Sequence, residues 1–95
     1  GFAESTSASA LYLAESCAEH ALFAIAGDAL YGGAEERLIG EERCRIGTVD
    51  NPEPSVFLFT TESAVGEFAR RISVEAVISA STTQVVGWTL VPLAE

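Results

Sequence analysis

Lysine and methionine are absent from these 95 residues, and the basic charge is five arginines set against fourteen carboxylates. The resulting net charge of −9 argues against nucleic-acid binding, which depends on Lys and Arg neutralising phosphates. It argues equally against attachment to an anionic membrane surface. No apolar run approaches the ~20 residues needed to cross a bilayer. No basic segment leads into an apolar stretch at the start, so no signal peptide is read there, although Gly1 in place of an initiator Met is what processing would leave. Internal repeats, low-complexity tracts and interdomain linkers are missing as well.

Cysteine is limited to Cys17 and Cys44, with neither a CxxC pair nor a Cys/His quartet. Two buried, reduced thiols in a reducing cytosol are the expectation, and a disulfide between them is the competing reading. Histidine is limited to His20. It sits one helical turn after Cys17, so a Cys–His dyad is geometrically possible, but a zinc site needs at least three protein ligands and no third is evident. A packed or surface histidine is the simpler reading. Ser is plentiful without a GxSxG elbow. Gly27, Gly32 and Gly33 do not form GxGxxG, which excludes a recognisable phosphate cradle. No catalytic set and no cofactor are expected.

Among the features present, apolar residues make up 48% of the chain, enough for one small core. Residues 10–95 read as a single domain behind a flexible polar segment, 1–9. Ala10, Leu13, Ala14 and Cys17 recur at helical spacing. The run 21–26, ALFAIA, either continues that helix to Gly27 or forms a buried strand, and periodicity does not decide between them. Residues 34–42 read as a loop or one helical turn. From Glu42 to Val49 the pattern alternates, placing Cys44 and Ile46 on one face of a strand. Asp50–Pro54 is a turn leading to Val56–Phe59, a short apolar run read as a buried central strand with Phe57 or Phe59 in the core. Thr60 and Thr61 are then expected to cap a helix carrying Val65, Phe68, Ala69 and Ile72 on one face. A short helix is expected over 73–81, and Thr83–Val91 is the last strand, ended by Pro92. The implied fold class is α+β: a mixed or antiparallel sheet of about four strands covered by two or three helices.

Phe59, Thr60, Thr61 and Val65, with the later stretch Val74 to Pro92, resemble the SseB N-terminal-like domain family over roughly residues 10–92. The resemblance favours a strand for 21–26. It implies a small cytoplasmic bacterial domain without enzymatic activity, linked to secretion-associated proteins and working through protein contacts.

Glu35, Glu36, Glu41 and Glu42 form the densest acidic cluster. Their spacing lacks the calcium-loop pattern. A solvated face is the bland reading, and a contact for a basic protein partner is the functional one. Trp88 is first a packing residue, but on an edge strand it can also anchor an interface. Two functions follow. One is an SseB-like protein-interaction domain. The other is an acidic immunity protein or antitoxin that blocks a basic toxin.

Overall fold

A computed structural model describes residues 2–79 and 82–91. One helix, α1 (Phe2–Gly27), lies on one face of a six-stranded antiparallel sheet. The strands are β1 (Gly33–Ile39), β2 (Glu42–Thr48), β3 (Asp50–Glu53), β4 (Val56–Val65), β5 (Phe68–Ser79) and β6 (Thr82–Val91). Their order across the sheet is β1-β2-β4-β5-β6, with β3 also paired to β4. The expectation of about four strands and two or three helices is therefore corrected: two of the expected helical stretches are strand, and the first helix is longer than expected. Ser81 and Pro92, read as ends of elements, lie outside the described residues.

Helix α1 runs through 21–26 to Gly27, so the stretch ALFAIA is helix. Ala has the highest intrinsic helix propensity, and no breaker interrupts the run. The buried face is Ala10, Leu13, Ala14, Cys17, Ala18, Ala21 and Ile25. Four of these are alanine, which allows the helix axis to approach the sheet closely. Beyond Gly27, the Asp28 amide donates to the carbonyls of Ala24 and Ile25, and the Asp28 carboxylate accepts from the Leu30 amide at 3.0 Å.

The stretch expected to hold a strand and then a helix is a β-hairpin. β4 and β5 pair over their whole shared length, from Val56 opposite Val77 to Val65 opposite Phe68. Gly66 and Glu67 make the two-residue turn, with Gly66 at φ 62°. Positive φ at the first turn residue alone suits a type II′ hairpin, where glycine carries no steric penalty. Gly40–Glu41 repeats the device between β1 and β2, with Gly40 at φ 65°.

One face of β4 carries Phe57, Phe59, Thr61 and Ser63, all buried under α1. β5 adds Ile72, Val74, Ala76 and Ile78, and β2 adds Cys44 and Ile46. Phe57 or Phe59 is expected in the core, and both are buried there. Phe68 is half-buried at the start of β5, its ring under the Arg70 guanidinium at 5.9 Å. Cys17 and Cys44 form a disulfide that joins α1 to β2 inside this core. The expectation of two reduced thiols is corrected accordingly. The inward orientation expected for Cys44 is what brings it against Cys17.

Candidate functional site

The acidic cluster is built into the β1–β2 hairpin. Glu35 and Glu36 lie in β1, Glu41 in the turn and Glu42 at the start of β2. Strand alternation sends Glu35 and Glu36 to opposite faces of the sheet. Arg37, Arg43 and Arg45 lie in the same hairpin, so four carboxylates there meet three guanidinium groups. The structure therefore does not gather the four glutamates into one uncompensated acidic patch.

On the helix side, Glu35 is a local hub. It accepts the Tyr31 hydroxyl at 2.9 Å, and Arg37 Nη1 lies 3.5 Å and His20 Nε2 4.0 Å from its other oxygen. Partial burial, and then the bond to the carboxylate, push the Tyr31 phenol up to about 12. His20 thus faces β1, while its neighbour Cys17 is committed to the disulfide, which excludes a Cys17–His20 dyad. Among the described residues, no group of three or more His, Cys, Asp or Glu is placed to hold a metal ion.

The face of the sheet turned away from α1 carries one cross-strand row of alternating charge. Glu36 is opposite Arg45, Arg45 opposite Glu62, and Glu62 opposite Arg71. Arg71 Nε donates to Glu62 at 2.7 Å, and Arg43 reaches Glu36 at 3.9 Å. A cavity of about 320 Å³ opens here, lined by Glu36, Arg43, Arg45, Glu62, Ala64 and Ala69 among others. It is bordered by surface ion pairs and holds no nucleophile–base pair. A second cavity of about 320 Å³, between the end of α1 and the β3–β4 turn, is lined by Ile25, Pro54, Phe57 and Ile78. Unlike the first, it is lined by no titratable group.

Trp88 belongs to a different surface. Residues directly opposite in an antiparallel pair point to the same face. Trp88 is opposite Val74, Leu90 opposite Ile72 and Val85 opposite Ala76. Those β5 residues are buried under α1, so Trp88, Leu90 and Val85 project on the helix side. The helix packs over β2, β4 and β5, which leaves β6 as an uncovered edge. Trp88 is 36% exposed, Val85 42% and Leu90 51%. The ladder shifts register here, leaving Val86 as an extra, half-exposed residue. Leu11 and Leu22, half-buried against the core, lie by helical spacing on the flank of α1 opposite His20, which faces β1.

β6 is also the one strand of the six without a charged residue. Charges on β1 guard the opposite edge, as edge strands that must stay unpaired usually require. β6 has no such guard beyond its bulge. The sequence points to Trp88, and the absence of charge across Thr82–Val91 is legible there as well, whereas the edge position emerges only from the strand order. No protein-family model matches the chain, and neither a curated protein nor a solved structure matches it.

Proposed function

We propose that this chain is a non-enzymatic protein-interaction domain that receives its partner along β6. The observation carrying this reading is the long, uncharged edge flanked on the helix side by Val85, Trp88 and Leu90. Such an edge offers unpaired backbone donors and acceptors for strand addition, and Val85, Trp88 and Leu90 offer apolar contacts for alternate side chains of the added strand. A role among bacterial secretion-associated proteins, as in the SseB-like group, belongs to the same proposal and rests on the motif residues alone.

The compartment we propose is an oxidising one in place of the cytoplasm. The Cys17–Cys44 disulfide supports this, because cytosolic thiols of mesophiles are normally kept reduced. No helix among the described residues is long and apolar enough to cross a membrane.

A second reading, an acidic immunity protein or antitoxin, draws on the charge outside the β1–β2 hairpin. That hairpin holds four of the fourteen carboxylates and three of the five arginines, leaving ten carboxylates against two arginines elsewhere. Opposite potentials would steer a basic partner toward this excess of negative charge.

Affinity capture from the source cell, with the wild type and Leu90→Lys side by side, tests the first reading. A partner lost with Leu90→Lys supports it, and a partner retained unchanged overturns β6 as the contact. Inhibition of a purified basic nuclease that survives Leu90→Lys but falls with added salt supports the second reading.

A further inference from the structure

We infer that the partner seated on β6 is a second copy of this chain, paired antiparallel about a two-fold axis perpendicular to the sheet. The inference rests on the β6 interaction reading and names its occupant.

Charge selects the edge. At −9, two copies repel wherever their charged faces meet. Thr82–Val91 carries no charge, so pairing along β6 is the one edge contact in which the paired strand residues themselves bring no like charges together. The charged edge, β1, is then the far boundary of the joined sheet.

Geometry limits the register. Antiparallel neighbours must share a face, so a two-fold pairing has to be centred on a residue and not between two residues. Centring on Thr89 places Trp88 of each copy opposite Leu90 of the other. The two largest exposed apolar side chains of β6 are then matched twice over, on the helix side, clear of the irregularity at Val86. Both α1 helices fall on the same face of the continuous sheet. The two Trp88 rings then lie on the helix side, between the two α1 helices.

A single strand pair buries less than the ~800 Å² per partner of a standard interface, so a dissociation constant on the order of 10 μM is expected. Trp88 is the chain's one tryptophan and reports its own burial. Sedimentation velocity and Trp88 emission, followed from about 1 to about 500 μM, should show a dimer forming together with a blue shift. Leu90→Lys sets a lysine on each side of the pairing and should weaken the dimer at least about tenfold, while the half-exposed position leaves the fold intact. Thr89→Cys should give an oxidised covalent dimer. Directly opposite Cα atoms lie ~4.5–5.5 Å apart, within the span a disulfide accepts.

A monomer at all concentrations, or a dimer indifferent to Leu90→Lys, overturns self-pairing. A dimer that needs Leu90 yet fails to cross-link through Thr89→Cys overturns the Thr89-centred register. If the chain stays monomeric but Leu90→Lys still abolishes capture of a cellular partner, the edge is used by a different protein. If neither self-association nor capture depends on Leu90, the β6 reading falls as well.

Discussion

The hydroxyl of Thr61 lies 2.8 Å from the carbonyl oxygen of Ala14, in a site fully closed to solvent. Two residues along the strand, Ser63 donates in the same way to the carbonyl of Ala10. Four helical residues rise about 6.0 Å and two strand residues about 6.8 Å, so one pair of spacings serves both bonds. Each alanine carbonyl has a second lone pair free for a side chain after its helical bond is made. Helix and sheet are thereby held in one register as well as packed.

Thr61→Val removes the hydroxyl at nearly constant volume and leaves the Ala14 carbonyl its helical partner. The expected loss is about 1 kcal/mol. Urea denaturation of the two proteins should show a lower midpoint with an unchanged slope. An unchanged midpoint would mean that the hydroxyl contributes nothing to fixing α1.

The same two hydroxyls explain why β4 was misread from sequence. Phe57, Phe59, Thr61 and Ser63 alternate inward, but two of the four are polar, so the alternation fades where the helical spacing of Val65, Phe68, Ala69 and Ile72 begins. Gly66 was the signal for a turn, and a helical pattern tolerates one glycine. What was legible was the strand start at Val56, the inward face of Cys44 and Ile46, and the final strand. The disulfide was not, because nothing in the spacing of Cys17 and Cys44 places α1 over β2. The stretch Glu35 to Glu42 reads as acidic in sequence because Arg43 and Arg45 follow it and are brought beside its glutamates only by strand pairing.

Removing the disulfide should be the most destabilising change that leaves the hydrophobic core in place. Cys17 and Cys44 are 27 residues apart, and a closed loop of that size stabilises by about 3.5 kcal/mol in the chain-entropy model. The Cys17→Ala/Cys44→Ala variant should lose an amount of this order. In the native wild type, a thiol reagent should find no free thiol until the protein is reduced. Free thiol in freshly prepared protein would remove both this prediction and the proposed oxidising compartment.

Ala34 has φ 55°, the one described residue other than glycine with positive φ. An L-residue held there is disfavoured by roughly 1–2 kcal/mol, and glycine is not. Ala34→Gly relieves that strain but adds freedom to the unfolded chain, leaving a net gain of about 0.5–1 kcal/mol. Most substitutions destabilise, so a raised thermal midpoint is a discriminating result. A lowered one would place Ala34 outside the left-handed region in solution.

Tyr31 ties folding to high pH. Its phenol is raised from 10.0 to about 12, chiefly by burial and then by the bond to Glu35. A group whose pKa is raised on folding contributes stability that is fully present below its unfolded value, and this contribution is lost as pH rises through the folded value. The window is therefore pH 10 to 12. Absorbance titration in a Tyr12→Phe background isolates Tyr31. Its midpoint should fall toward the ordinary tyrosine range when Glu35→Gln removes the neighbouring negative charge. A midpoint indifferent to Glu35→Gln would leave burial as the whole cause.

The alternating row Glu36–Arg45–Glu62–Arg71 has its shortest link at the Glu62–Arg71 end. The pair stands on the open face of the sheet, with side-chain exposures of 43% and 36%. Water and salt therefore screen much of the attraction. A double-mutant cycle with Glu62→Gln and Arg71→Gln should give a coupling of about 0.5 kcal/mol at low salt, shrinking in about 1 M NaCl. Because Arg45 stands opposite Glu62 on the other side, Glu62→Gln alone should cost more than Arg71→Gln: it removes the carboxylate between two cations, whereas Arg71→Gln leaves Glu62 with Arg45. Equal single-mutant costs would mean that Arg45 does not share the field of Glu62. The open face would then hold one isolated ion pair, with no row acting across four strands.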